Sequence, residues 1–253
     1  MVIVAFFVGH WVLSVFCQSF FQHRYAAHRM FTMTKGWERF FYLFTYVCQG
    51  SSFLSPRGYA ILHRMHHAYS DTPKDPHSPR NHWNPISMMA ATRGLYHGFS
   101  HYELAPDKKF DGGYPVWAAL DNLGKSWVGR MAWVAGYSAF YFVFVTAWWQ
   151  WLLLPIHFVM GPVHGAIVNW CGHKYGYKNF DTGDDARNTL FIDFVTMGEL
   201  FQNNHHEYGQ SPTFAARWFE VDPTYVVMRG LHAVGIISLG DRPQIMRDPA
   251  AAS

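Results

Sequence analysis

The sequence predicts an all-α integral membrane protein: a helical bundle of about three transmembrane helices with interfacial helices and a cytosolic, histidine-rich cap. Three observations predict this fold. The chain contains two long uncharged stretches, half of its residues are hydrophobic, and its sixteen histidines nearly equal its seventeen carboxylates. A net charge of +3 is too small for a protein that neutralises many phosphates, so no nucleic-acid partner is expected.

The membrane spans are predicted from length and charge. Residues 2–21 carry no charged side chain and are long enough to cross a hydrocarbon core of about 30 Å. The uncharged stretch 131–171 is about twice as long and has tryptophans near its middle. This pattern predicts two spans, about 131–149 and 152–171, joined by an interfacial turn. The apolar run within 37–54 is too short to span and is predicted to be an interfacial helix.

The number of crossings decides which compartment the histidines face. With three spans, the chain stays on one side from about 22 to 130 and returns to that side after the hairpin. All twenty Lys and Arg residues also fall there, which is typical of the cytoplasmic side. We therefore expect one membrane domain over 1–253, with its N-terminus outside and every histidine group facing the cytoplasm.

Four polar groups rich in histidine lie just beyond the predicted spans. They are "HRYAAH" (His23, His28), "HRMHH" (His63, His66, His67), "NWCGH" (Asn169, His173) and "QNNHH" (Gln202, His205, His206). Positions i, i+3 and i+4 share one helical face, so the second and fourth groups are each expected to project together. Asn169 and His173 are four apart and are expected on one helical face at the end of the third span.

The number of histidines indicates more than one metal ion. Eight imidazoles exceed the four to six ligands that a first-row metal ion takes, whereas two neighbouring ions would use them all. Imidazole binds iron, zinc, copper and nickel, so ligand type alone does not select the metal. Three histidines within the spans are assigned to packing or polar contacts between helices: His10, His157 and His164. The others are assigned to surface, loop or ligand-supporting positions: His77, His82, His97, His101 and His232.

The order HxxxxH, HxxHH, NxxxH, QxxHH resembles the integral-membrane fatty acid desaturases, particularly the stearoyl-CoA-type Δ9 branch. "HHAYSDTPKDPHSP" and "NWCGHKYGY" resemble its bacterial members, and the resemblance covers about residues 10–230. It implies a diiron centre that uses O2 and two electrons to introduce a cis double bond, at Δ9, into a long acyl chain in the bacterial inner membrane. It also implies eight iron ligands: His23, His28, His63, His66, His67, His173, His205 and His206.

Two further polar residues acquire roles from the resemblance. Asn169 would hold a metal-bound water. Gln202 stands where the Δ9 branch usually has histidine, and it would bind the metal weakly through its amide oxygen or position a water. Carboxylates commonly hold ligating imidazoles in the required tautomer. The candidates by proximity in sequence are Asp71, Asp75, Asp193, Glu199 and Glu207.

The resemblance leaves alternatives open and implies partners. A membrane hydroxylase of fatty acids or alkanes would use the same site, and a non-enzymatic metal- or haem-binding membrane protein is a further alternative. The substrate would be an acyl-CoA or an acyl-lipid. The sequence has no haem motif and no cysteine-rich iron–sulfur pattern, so electrons would come from a separate ferredoxin, rubredoxin or cytochrome b5 with its reductase. Zinc would also bind such ligands in a purified sample. The family usually has another membrane helix before the first histidine box, which predicts a minimal version or an incomplete start.

Overall fold

The N-terminal helix is the longest apolar element of the chain. The structure, a computed structural model, describes residues 1–240, so the end of the predicted domain, 241–253, lies outside the described residues. Within that described part, Val2–Ala27 is the one continuous helix that is long and apolar enough to cross a membrane. Its first part, α1 (Val2–Cys17), is α-helical, and its second part, Gln18–Ala27, is a π-helix. The predicted span 2–21 lies within this helix.

The helices in the region of the predicted hairpin differ from two continuous spans at about 131–149 and 152–171. Helix α6 (Trp127–Phe144) ends before residue 149, and a 3₁₀ turn follows it. The segment predicted as the third span bends by 79° between Trp148–Phe158 and Met160–Cys171. Proline is tolerated in the first turn of a helix but not in its interior, so Pro155 and Pro162 favour new helix starts.

This break divides the segment into two helices, α7 (Leu154–Phe158) and α8 (Met160–Cys171). Only when the bent pair is taken as one span does a second segment of residues 1–240 meet the length and hydropathy criterion. Three transmembrane helices therefore stay a prediction.

The interfacial helix predicted over 37–54 is observed as α2 (Lys35–Gln49). The Thr34 side chain caps its first turn, and Gly50, with a φ of 52°, ends it. The remaining helices and the one small sheet are α3 (Pro56–Tyr69), α4 (Pro85–Ser100), α5 (Ala118–Lys125), α9 (Gln202–Glu207), α10 (Pro223–Ala233), β1 (Thr32–Met33) and β2 (Ile237–Ser238). The described chain is therefore largely helical, as predicted.

The C-terminal end of the described chain returns to the segment that follows the π-helix. Strands β1 and β2 pair antiparallel, with Thr32 opposite Ser238, so the segment after the first helix is tied to the end of the described chain. The main aromatic core, which includes Phe20, Phe41 and Phe214, lies between these segments and α2. Helix α3 packs along the π-helical segment. This packing brings the first two histidine groups, and the segment around α9, to one place.

Candidate metal centre

The first histidine pair is positioned by the π-helix. In an α-helix, residues five apart point in different directions. In a π-helix the backbone bond joins residue i to residue i+5, and here the His28 N–H donates to the His23 carbonyl at 3.1 Å. The two imidazole rings lie 5.0 Å apart. The π-helical segment therefore allows the HxxxxH spacing to point both rings into one site.

Helix α3 distributes its three histidines between two sites. His63 and His67 lie four residues apart and face the first histidine pair, whereas His66 faces away from them towards the segment after α8. The prediction that all three project into one cluster is therefore wrong. Because consecutive α-helical residues are rotated by about 100°, positions 66 and 67 diverge even though they share a broad face.

Helix α9 repeats this division. His205 joins the rings of the first pair, whereas the next residue, His206, joins His66 and His173. Asn169 and His173 were expected on one helical face, but they do not share one. Helix α8 ends at Cys171, and His173 lies in the turn beyond it.

The eight histidines form two adjacent clusters. In each cluster, one ring nitrogen from every member lies within 4.8 Å of those of the others. Cluster A consists of His23, His28, His63, His67 and His205, and cluster B consists of His66, His173 and His206. The clusters meet where the rings of His67 and His206 lie 4.7 Å apart.

The ring nitrogens of cluster A are in close contact. The Nε2 atom of His205 lies 2.9 Å from Nε2 of His23 and 2.9 Å from Nε2 of His67, and those of His28 and His63 are 2.6 Å apart. Burial lowers the pKa of four members well below 6.5, and neighbouring imidazoles lower it further. These members are His28, His63, His67 and His205. These four rings are therefore neutral, as metal ligation requires.

Each histidine of cluster B is held by its own carboxylate. Each ring donates a hydrogen bond from Nδ1. His66 donates to Asp75 at 2.9 Å, His173 donates to Asp71 at 2.9 Å, and His206 donates to Asp184 at 2.6 Å. These bonds leave each Nε2 with a free lone pair.

The Nε2 atoms of these three histidines are buried and have no hydrogen-bond partner among residues 1–240. Three convergent, unsatisfied lone pairs are expensive to bury, and a metal ion would satisfy them. The residues of cluster B therefore fit a metal ion.

The charges of these carboxylates stay in place despite burial. Burial by itself would raise the pKa of Asp75, but the hydrogen bond that its carboxylate accepts from His66 lowers it to about 2. Burial likewise acts to raise the pKa of Asp71 and of Asp184, and the hydrogen bonds that they accept from His173 and His206 lower it. Ionised carboxylates of this kind fix the tautomer and orientation of the rings.

Three of the five carboxylates chosen by proximity contact a clustered histidine. Asp71 holds His173, Asp75 holds His66, and Glu199 pairs with Nδ1 of His23. Asp193 instead accepts hydrogen bonds from nearby backbone groups, and Glu207 is exposed, so assigning these two to ligand support is wrong. Their distance along the chain from a histidine says nothing about side-chain direction.

Sequence reasoning missed Asp184. It lies 22 positions before His206, so proximity in sequence does not reveal it. The only local signal is the run "DTGDD" at 181–185, in which three of five residues are acidic. This run begins eight residues after His173, and its role depends on how the chain turns back towards α9.

The two polar residues expected near the metal both border the site. Asn169, on α8, and Gln202, the first residue of α9, line a cavity next to the clusters. The Gln202 amide donates to the Glu199 carbonyl at 2.6 Å, and its side chain packs so closely on Gly172 that a Cβ there would lie 2.5 Å from Cγ of Gln202.

His77, which had been left among the surface, loop and ligand-supporting histidines, is buried beside His66. Their ring centroids are 4.6 Å apart, and the His77 backbone N–H donates to Asp75 at 3.0 Å. Burial lowers the pKa of His77 to about 3. Together with His66 and Asp75 it forms a third group of possible ligands. The carboxylate is already hydrogen-bonded to the other two residues, so a supporting position explains this group.

The cavity has a volume of about 750 Å³ and runs from the histidines between α1, α4 and α8. His23 and His63 form part of its wall, and side chains such as Ile86, Met89 and Val163 line much of the rest. This volume is within the range of small-molecule sites, roughly 300–1,000 Å³. Its mostly apolar wall suits an alkyl chain.

Comparison with known proteins decides the family. The family model described as "Fatty acid desaturase" matches residues 1–231. The chain belongs to the fatty acid desaturase family. The resemblance predicted from the histidine motifs is therefore confirmed. As members of this family do, this desaturase associates with membranes, and it is an oxygen-dependent oxidoreductase that acts on an acyl chain.

Several curated proteins are similar over most of this desaturase. The hex-5-enoyl-[acyl-carrier protein] acetylenase of Moorena producens is 29% identical over 92% of this chain and 75% of that protein. The sn-1 stearoyl-lipid 9-desaturase of Anabaena variabilis is 28% identical over 88% of this chain and 78% of its own. The acyl-CoA 5-desaturase AL21 of Anemone leveillei is 29% identical, with coverage of 89% and 67%.

Proposed function

We propose that this desaturase is a diiron enzyme that introduces a cis double bond at Δ9 of a long acyl chain. One observation carries the proposal: two adjacent clusters of imidazoles lie beside a mostly apolar cavity, and His23 and His63 belong to its wall. Relatives named as stearoyl-lipid 9-desaturases, from Anabaena variabilis and from a Synechocystis strain, favour Δ9. Relatives with either lipid-bound or CoA-bound substrates leave both carriers within the proposal.

The proposed ligand sets follow the two clusters. Cluster A would hold one iron ion, and cluster B would hold the other, with Asn169 positioning a water and Gln202 acting as a weak ligand or holding a water. The bound iron ions would supply, with O2, the oxidant that an unactivated methylene requires. Side-chain acids and bases are insufficient for that step, because a methylene has no acidic proton and no leaving group.

The protein's own residues prepare the site for this reaction. Asp71, Asp75 and Asp184 orient the rings of cluster B, and Glu199 orients His23. The apolar wall of the cavity would align the alkyl chain and keep bulk water from the reacting carbons. Orientation and exclusion of water are the contributions expected of the protein when a cofactor carries out the chemistry.

The proposal also assigns a location and an electron source. All Lys and Arg residues lie outside the uncharged stretches 2–21 and 131–171, which supports a cytoplasmic site in a protein of the bacterial inner membrane. Electrons would come from a separate ferredoxin, rubredoxin or cytochrome b5 with its reductase. The single membrane domain is proposed to extend over 1–253.

Expression in a host with few unsaturated lipids tests the proposal. Profiling the cellular fatty acids by mass spectrometry should show new Δ9 double bonds. These double bonds should disappear in His206→Ala and persist in the control His82→Ala, whose ring lies outside both clusters.

Purified enzyme should contain about two irons per chain, although zinc can replace iron during purification. New hydroxy acids without new double bonds would refute a desaturase, and double bonds at another position would refute Δ9 alone.

A further inference from the structure

The loop that leads to the fourth histidine group exposes an unusual set of side chains. Residues 191–195, "FIDFV", lie between the turn after α8 and α9. Four of them are large, apolar and exposed: Phe191 is 63% exposed, Ile192 51%, Phe194 63% and Val195 47%. Soluble surfaces rarely gather such side chains in one contiguous patch. The only charged residue between Arg187 and Glu199 is Asp193, and that residue is fully buried.

Asp193 satisfies the backbone of the turn that follows these exposed residues. Its carboxylate accepts hydrogen bonds from the backbone N–H groups of Thr196, Gly198 and Leu200 at 2.8–3.0 Å, and also from the Thr196 hydroxyl. A loop in water can leave such groups to the solvent. At membrane depth, irregular backbone is tolerated where it is buried in protein, and residues 196–200 of this turn are all buried.

The loop is attached to the middle of the apolar N-terminal helix. The indole N–H of Trp11 donates to the carbonyl of Val195 at 2.8 Å, and the same indole packs edge-on against His164 of α8. Trp11 lies nine residues after Val2, which corresponds to about 14 Å along the helix axis. The loop therefore lies beside the part of α1 that is expected inside the bilayer, not beside its end.

We propose that residues 191–195 form a membrane-inserted loop whose exposed side chains contact the acyl chains of the bilayer. Hydrocarbon is the occupant because the patch is continuous with α1, has no exposed charge and is followed by a buried turn whose backbone N–H groups Asp193 satisfies. The loop thus adds a non-helical membrane contact directly before Glu199, the residue that holds His23. Burial of the four side chains would attach the fourth histidine group to the membrane surface.

Depth measurements on spin-labelled enzyme in lipid nanodiscs test this proposal. Labels are placed by Ile192→Cys and Phe194→Cys, with Glu207→Cys, at the exposed last residue of α9, as a control. Unsubstituted protein treated in parallel gives the background from the native cysteines. For each label, collision with lipid-soluble O2 is compared with collision with a water-soluble nickel chelate. Both loop positions are exposed, so either variant can serve if the other does not fold.

The expected result is a high O2 and a low nickel accessibility at 192 and 194, with a several-fold higher ratio than at 207. Nickel accessibility equal to that at 207 would overturn the proposal, since the loop would then face water. Low accessibility to both reagents would also overturn it, because a second protein surface would then cover the loop. The measurement does not depend on activity, so its outcome is independent of the proposed Δ9 reaction.

Discussion

Individual imidazoles in cluster B depend on single carboxylates, and Asp184 is the sharpest example. Asp184→Asn removes the negative charge of the carboxylate that accepts a hydrogen bond from Nδ1 of His206. Loss of such an outer partner typically lowers metal affinity or activity about 10- to 100-fold. We expect that loss in both iron content and desaturation, measured at equal amounts of folded protein.

The neighbouring Asp185 provides a matched control. Its carboxylate pairs with Arg80, which is largely exposed, and contacts no histidine. Exposed ion pairs contribute about 0–1 kcal/mol, so Asp185→Asn should retain its iron and its activity. Equal effects of the two substitutions would show that the carboxylate of Asp184 does not support the site.

Gln202 contributes at the residue scale through its amide. Gln202→Ala removes the donor to the Glu199 carbonyl and leaves a gap beside Gly172, so desaturation should fall. Gln202→His should keep at least part of the activity, since imidazole is able to donate a hydrogen bond or bind metal. Product analysis in membranes measures both variants. Full activity of Gln202→Ala would remove this residue from the site.

At the scale of elements, the π-helical segment Gln18–Ala27 fixes the register of the first histidine pair. Insertion of one alanine after Tyr25 should rotate His28 away from cluster A and abolish iron binding and desaturation. A control insertion after Ala105, in the exposed segment between α4 and α5, should have little effect. Retained iron content in the first variant would mean that the five-residue spacing is not required.

Helix α8 forms one wall of the cavity, and a larger side chain at Gly165 would reduce the volume of the cavity. A Cβ at Gly165 would meet only the flexible end of Met89, at 3.7 Å. Gly165→Leu should therefore fold, and it should reduce the products with the longest chains several-fold by filling the cavity. Gly136→Leu is the control, because Gly136 on α6 is exposed and does not line the cavity. Identical chain-length profiles for both variants would contradict this assignment of the acyl cavity.

At the scale of the whole molecule, Arg24 joins the first helix to the end of the described chain. It is fully buried, donates to Asp222 at 2.7 Å across 198 positions, pairs with Glu199, and lies 3.9 Å above the ring of Phe214. Arg24→Met would leave Asp222 buried without its cation. Breaking a buried ion pair in this way costs about 3–5 kcal/mol.

Denaturant titration in detergent micelles measures this loss. The surface substitution Arg80→Met is the control and should lower the free energy of unfolding by less than about 1 kcal/mol. Similar losses in the two variants would show that the buried network does not stabilise the fold.

The sequence by itself determined the features that depend on local spacing. The uncharged stretch after Met1 predicted the first apolar helix. The spacings in "HRMHH" and "QNNHH" predicted helices at both places. The four motifs identified the family, because together they are far more specific than any one of them.

Tertiary structure decided how those local features combine. It separated His66 from His67 and His206 from His205, because a rotation of about 100° becomes a choice of site only once neighbouring elements are in place. It placed Asp184 beside His206 and turned Asp193 into the support of an apolar loop. Helix geometry is encoded within a few residues, whereas contacts across tens or hundreds of positions depend on how the whole chain packs.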